Sequence, residues 1–466
     1  MAILRSEAVE PGGSGASREP RTGLSRPLVV DVDRVLQHGD PTIEVIVSEI
    51  SRRPKAAFDF FAALLRGPVA LKRRVAQASG FDPAQLSYQS DVVSFLLRVL
   101  GEGRPVYLAS EIYGPALVEV IAQHLGVFAA WSVAANGARQ ESGTPAAGFD
   151  YLGPAATALP TSASHIESPV AAPRDAAPPS WRTWAKLLRV HQYAKNALVL
   201  VPLLTAHRFA LEPIATALSA ALAFSLCASG AYILNDLVDV AADRAHVTKR
   251  NRPIASGAIS PAHATLAMAM LLTGAFSIAI CLSPSFFGIL LAYLAMTTAY
   301  SFRLKRVALV DVITLAILYT TRVVAGAVAI GVAMSEWLFA FSLFIFMSLA
   351  LVKRYIELNG QRSGEKPMAR DYGAIDLPMI AVLAAASGFN AVVVFTLYIS
   401  SETVHALYAH PQILWAGCPI LMYWISRVML MAQRGLIEDD PVVFALRDRA
   451  SWLALAAFGA IMLIAI

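Results

Sequence analysis

The stretch NDLVDVAADRAHVTKRNRPIASG, Asn235–Gly257, decides how this chain is read. It follows a wholly apolar run, SAALAFSLCASGAYIL, so its charges sit against the end of a hydrophobic segment. Asn235, Asp239 and Asp243 recur every four residues. A helix continuing through them would bring all three to one face, with neighbouring side chains roughly 6 Å apart. Three oxygen ligands at the mouth of a membrane helix suit Mg2+, which prefers a few carboxylates plus phosphate oxygens to an all-protein cage. Lys249, Arg250 and Arg252 follow, and such cations clamp phosphates. A solvated helix end with a basic loop would explain the Lys and Arg. It would not explain acidic positions kept at helical spacing.

Outward from this stretch the composition is that of a membrane protein. The 466 residues are 56% hydrophobic, and the mean hydropathy is +0.56. Nine apolar blocks of spanning length fall at about 196–210, 212–236, 261–282, 285–301, 308–330, 336–356, 378–400, 411–432 and 450–466. Lys and Arg crowd the loops after the second, fourth, sixth and eighth blocks, while the alternate loops carry essentially only Arg208. The positive-inside rule then puts the charged loops and the N-terminal part on the cytoplasmic side of the inner membrane, and the C-terminus outside. The net charge of +5 is modest and belongs to this topology, which excludes nucleic-acid binding as its cause. Cys227, Cys281 and Cys418 all lie in apolar segments without paired spacing, against a disulfide framework or a zinc site. No signal peptide is expected in residues 1–25, which read as a disordered leader.

The charged loops also hold the chemistry. Tyr300, Ser301, Arg303 and Lys305 precede Asp311, which falls a turn inside the fifth block, with Arg322 three turns further on. Charges at such depth normally face a polar cavity or pair between helices. After the sixth block, LVKRYIELNG supplies Lys353, Arg354 and Glu357. Lys353 and Glu357 are spaced to pair with each other, and the basic residues could snorkel.

Residues 26–155 have soluble composition. RPLVVDVDRVL and PVYLASEIYG read as strands, with helical patterns in AAFDFFAALL, QSDVVSFLLRVLGEG and PALVEVIAQHLG. This alternation predicts a parallel sheet with Asp31 and Ser110 at the carboxyl ends of strands, where reactive groups gather. DVDRV and VYLAS resemble the first two motifs of the haloacid dehalogenase-like phosphohydrolases. That resemblance implies a nucleophile at Asp31, with Asp33 and Ser110 beside it. Arg34 replaces the motif glycine, and no lysine follows Trp131 before Pro154. The expectation is therefore a catalytically impaired domain, with Asp150 a misplaced substitute for the missing acidic ligand. Residues 156–182 are Ala/Pro/Ser-rich and read as a flexible tether. WRTWAKLLRVHQYAKN has the pattern of an interfacial amphipathic helix.

For residues 183–466, Asn235, Asp236, Asp239 and Asp243 match the Asn-Asp-x-x-Asp-x-x-x-Asp motif of the UbiA superfamily of intramembrane prenyltransferases. The resemblance implies an all-α polytopic domain of nine helices around a central cavity. Lys195-Asn196, TKRNRPIASG, YSFRLKRVALVDV and KRYIEL resemble its decaprenyl-phosphate phosphoribosyltransferase branch. That branch implies attack by a polyprenyl phosphate on phosphoribosyl pyrophosphate. On this reading Asn235, Asp239 and Asp243 hold Mg2+, and Asp236 contacts ribose or a water beyond those bound to the metal. Lys249, Arg250, Arg252, Lys353 and Arg354 bind phosphates, with Tyr300, Arg303 and Lys305 lining the same side. Lys195, Asn196 and Arg322 serve the lipid phosphate, and Asp311 completes the pocket. A conventional prenyltransferase, which would carry a second carboxylate where Thr314 and Leu315 stand, is the first alternative. A non-catalytic membrane scaffold is the second.

Overall fold

The computed structural model describes residues 26–36, 42–53, 55–67, 70–71, 74–75, 77, 88, 90–110, 115–133, 139–140, 149–153, 164–165, 179–246, 248–362, 372–437 and 441–466. The chain forms two compact units, Met1–Arg174 and Asp175–Ile466.

In the first unit, β1 (Leu28–Asp31), β2 (Val106–Ser110), β3 (Phe128–Val133), β4 (Arg139–Gln140), β5 (Asp150–Leu152) and β6 (Ser164–His165) make one sheet in the order β4-β3-β2-β1-β5-β6. All pairs are parallel except β3 with β4. The strand-and-helix alternation read from the sequence is therefore present. Helices α1 (Thr42–Arg52), α2 (Ala56–Leu65), α3 (Ser90–Gly101) and α4 (Pro115–Leu125) supply the cover. Leu28, Val30 and Leu108 pack with Phe60, Leu96 and Ile121 on one side, and Val29 and Ala109 with Phe149 and Tyr151 on the other. A central strand buried on both faces needs an unbroken apolar run, and LVV is one.

The second unit opens with α5 (Trp181–Leu188), whose Ser180 hydroxyl caps it by accepting from the Thr183 N–H. Arg189 then turns left-handed at φ +52, and Val190–Leu200 continues as a 3₁₀ helix into α6 (Val201–Thr205), whose first turn carries Pro202. Seven helices among the described residues are long and apolar enough to cross a membrane. They are α7 (Leu211–Val238), α9 (Pro261–Leu282), α10 (Pro284–Phe302), α11 (Val310–Ala329), α12 (Glu336–Arg362), α13 (Leu377–Ile399) and α14 (Gly417–Gln433), the last spanning 23 residues together with the 3₁₀ turn Pro411–Ala416 that leads into it; α8 (Val240–Ala245) is a short helix after α7. The expectation of nine is corrected in two places. The first expected span is the 3₁₀-then-α segment, because Pro202 has no N–H to continue a helical ladder and sits instead in the first turn of a new, short helix. The ninth is α15 (Arg449–Ala465), apolar but only 17 residues long.

Serine and proline set the α9–α10 hairpin. Ser260 and Ser283 cap the two helices, Pro261 and Pro284 occupy their first turns, and Ser283 alone links them. Small residues permit close approach within the bundle. A Cβ at Gly326 of α11 would lie 2.0 Å from the Val199 carbonyl oxygen, so the 3₁₀ segment seats directly on that glycine.

Candidate functional site

The quoted stretch does not run as one straight helix. α7 ends at Val238, Asp239 takes φ −88 and ψ 5, and α8 resumes with the Asp243 N–H bonded to the Asp239 carbonyl. Asp236 and Asp243 are buried, and both reach the same nitrogen of Arg252, at 3.1 and 2.6 Å. Seven residues of straight helix span about 10.5 Å, so only side chains turned toward each other can share one nitrogen. Arg189 adds a second guanidinium, 2.6 Å from Asp236 and stacked 4.5 Å over Tyr232. Asp239 is half-buried and stands 3.5 Å from Lys305. Asn235 instead lines a small cleft with Ala231, Leu234, Val238, Thr298, Ser301 and Phe302. The structure thus brings together Asp236, Asp243 and Arg252, and leaves Asn235 outside that group. Lys249 and Arg250 are exposed on the 3₁₀ turn Lys249–Asn251. Burial pushes the Asp243 carboxyl above the usual carboxylate range, while the Arg252 guanidinium draws it back.

These residues fit Mg2+ of the open kind. Two buried carboxylates already converge on a cation, and phosphate oxygens and water can complete the shell. Among the described residues no three His, Cys, Asp or Glu side chains gather as a metal cage.

A second charged cluster lies between α11 and α12. Asp311 and Arg354 are both fully buried and 2.9 Å apart. The Tyr372 hydroxyl donates to Asp311 at 2.6 Å and accepts from the Leu309 N–H. Arg354 also pairs with Glu357. Burial first, and then the hydrogen bond to Asp311, holds the Tyr372 phenol protonated well above its ordinary range. Lys353 is half-buried beside this cluster, and Arg303 is exposed.

The third cluster gathers neutral hydrogen-bonding groups around Arg322. Arg322 donates to the Asn196 side-chain oxygen at 3.0 Å, the Leu318 carbonyl at 2.6 Å and the Tyr293 hydroxyl at 2.8 Å. Asn196 in turn donates to Ser225. Lys195 lies 5.6 Å from the Tyr319 ring, which also faces Arg322. Sequence reading missed Arg189, Tyr293 and Tyr372. Each comes to its partner from 29 to 61 residues away, and spacing carries no signal at such range.

In the first unit, Asp31 and Ser110 are buried at the ends of adjacent strands, with Asp31 level with Ala109. The Tyr151 hydroxyl donates to Asp31 at 2.9 Å. Asp150 is level with Leu28, at the other end of the strand, and pairs with Arg104. It cannot join Asp31. The Asp33 side chain lies outside the described residues. A parallel sheet is common to unrelated families, so the haloacid dehalogenase-like resemblance is not supported beyond that architecture.

The model of the UbiA prenyltransferase family matches residues 197–452. The chain belongs to that family. It is 33% identical to protein y4nM of Sinorhizobium fredii over 91% of this chain and 88% of that one. It is also 36% identical to the decaprenyl-phosphate phosphoribosyltransferase of Mycobacterium tuberculosis, over 38% of this chain and 61% of that enzyme. Among solved structures it is similar to a UbiA homologue from Archaeoglobus fulgidus bound to GPP and Mg2+, at 16% identity and a TM-score of 0.45 over 60% of this chain and 99% of that chain.

Proposed function

We propose that this protein transfers the 5-phosphoribosyl group of phosphoribosyl pyrophosphate to a polyprenyl phosphate, with Mg2+ required and pyrophosphate released. The observation that carries the reading is the Asp311–Arg354 pair. The second acidic position holds one carboxylate, already occupied by a buried arginine and a tyrosine. A donor needing a second open acidic site would find none there. The partial similarity to decaprenyl-phosphate phosphoribosyltransferase supports the same choice.

A phosphate monoester is already an anion, so no general base is needed. The work is positioning and stabilisation of the leaving group. Asp236 and Asp243 would hold the metal, with Asn235 and Asp239 at the same helix end. When bound, Mg2+ would stabilise charge on the departing pyrophosphate. Arg252, Lys249 and Arg250 would take the phosphates nearest that pair. Lys305, Arg303, Tyr300 and Lys353 would serve the sugar-phosphate end, with Arg354 held on Asp311 behind them, and Lys195 with Arg322 the lipid phosphate. The sidedness read from the loops puts this site on the cytoplasmic face. The first unit acts as a domain without phosphatase turnover, and Asp31→Asn should leave no activity to lose.

The test is transfer of label. Purified protein in detergent, given Mg2+, labelled phosphoribosyl pyrophosphate and a polyprenyl phosphate, should move label into the organic phase. No such transfer, together with transfer from a prenyl diphosphate to an aromatic acceptor, would establish the second reading that family membership favours. Silence in both assays would favour the scaffold.

A further inference from the structure

Helix α2, AAFDFFAALL, is apolar on both sides. Ala56, Phe60 and Ala63 point into the first unit's core. Phe58, Phe61 and Leu65 follow the i, i+3, i+7 rule along the opposite side, with Leu64 on their flank. These four are 77%, 61%, 74% and 57% exposed. A short helix apolar all round is ordinarily covered on both sides, and a contiguous exposed patch of this kind marks a binding surface.

The surroundings identify what covers it. Arg53 and Lys55 precede the helix and Arg66 follows it, all exposed. Asp59, the helix's acidic residue, is paired with Arg74 at 3.7 Å. An apolar stripe between basic ends is the chemistry of a helix lying in a membrane interface, its rings among acyl chains and its cations at lipid phosphates. Among the described residues the same chain carries seven helices long and apolar enough to cross a membrane. A bilayer is therefore always within reach of the tethered first unit, at high effective concentration.

We propose that α2 is a membrane-docking helix, with Phe58, Phe61 and Leu65 inserted into an anionic lipid surface and Arg53, Lys55 and Arg66 on its head groups. This rests on the surface of the first unit and is independent of the transferred group.

The test uses the full chain in proteoliposomes. Cys281, the exposed native cysteine, is replaced by alanine; Cys227 and Cys418 are buried. Phe58→Cys, Phe61→Cys, Leu65→Cys and the control Glu102→Cys each carry an environment-sensitive fluorophore. In vesicles containing phosphatidylglycerol, the three patch positions should be quenched by acyl-chain nitroxide lipids, and Glu102 by aqueous iodide. Combined Arg53→Gln, Lys55→Gln and Arg66→Gln should lower the docked-to-free ratio by roughly 100-fold, as should pure phosphatidylcholine. Iodide quenching at the patch would overturn the proposal, since the helix would face water. Protection from both quenchers would overturn it too, since protein would cover the patch, and dependence on protein-to-lipid ratio would then identify a second copy. Lipid quenching indifferent to phosphatidylglycerol would overturn the role of the basic residues.

Discussion

Arg354→Met should be among the most destabilising single changes in the membrane unit, because of what it leaves behind. The wild-type Asp311 carboxylate has Arg354 at 2.9 Å, the Tyr372 hydroxyl at 2.6 Å and the Val312 N–H at 2.8 Å. Methionine fills the volume but leaves a fully buried carboxylate with two neutral donors. Breaking a buried ion pair from one side costs about 3–5 kcal/mol. The reverse change, Asp311→Asn, is gentler, since Arg354 keeps Glu357; losing the charge-assisted contact costs about 1.5–3 kcal/mol. The double variant contains no stranded charge and should recover at least about 1 kcal/mol relative to Arg354→Met alone. Unfolding in mixed detergent–SDS micelles, followed by tryptophan fluorescence, measures all three. A cost for Arg354→Met below about 1.5 kcal/mol, the range of a simple volume-conserving swap, would refute the reasoning. So would strict additivity of the two single changes.

Arg252→Gln should act in opposite directions on two ligands. Binding of Mn2+ alone, read by electron paramagnetic resonance, should tighten as the competing cation leaves Asp236 and Asp243, whereas pyrophosphate binding, read by calorimetry, should weaken. Asp236→Asn and Asp243→Asn should each lower label transfer by about 100-fold or more, and the half-exposed Asp239→Asn by less. Gly326→Ala, which drives a methyl against the Val199 carbonyl, should destabilise by about 1–3 kcal/mol, visible as a lower thermal midpoint. Gly274→Ala, whose added methyl meets Leu226 at an ordinary 3.6 Å, should be near neutral. Hydrogen bonds from Arg427 hold the Asp448 carboxyl below its ordinary range. Its stabilisation is therefore present above about pH 4 and lost as pH falls through the lowered folded value. The difference in thermal midpoint between wild type and Asp448→Asn should shrink across that window.

The long apolar helices were legible because a bilayer demands about 20 apolar residues per span, and seven helices among the described residues meet that demand. The 3₁₀ course of Val190–Leu200 was not. It depends on Arg189 turning left-handed and on Gly326, more than a hundred residues away, leaving room for a backbone. Within the candidate site, the four-residue spacing of Asn235, Asp239 and Asp243 drew attention to the end of α7, but the turn at Asp239 decides which carboxylates meet, and these are Asp236 and Asp243. Arg252 stood out in the sequence by its charge. That it bridges Asp236 and Asp243 depends on the extended residue ending the 3₁₀ turn, which has no periodic signature. Asp311 and Arg354 were both recognised; their pairing was not, since they lie on different helices and no spacing in the sequence joins them.

Arg322 has a consequence of another kind. It stands about 18 Å along α11 from Val310, and every group it donates to is neutral. Asn196, Ser225 and Tyr293 surround it with hydroxyl and amide groups of the sort along which protons hop. A polar seam inside a bilayer is a leakage path, and each charge crossing a 100 mV potential carries about 2.3 kcal/mol with it. A fixed guanidinium on that seam repels an arriving proton or metal ion by its own field. The bundle can thus keep a polar interior around Arg322 while remaining an electrical insulator.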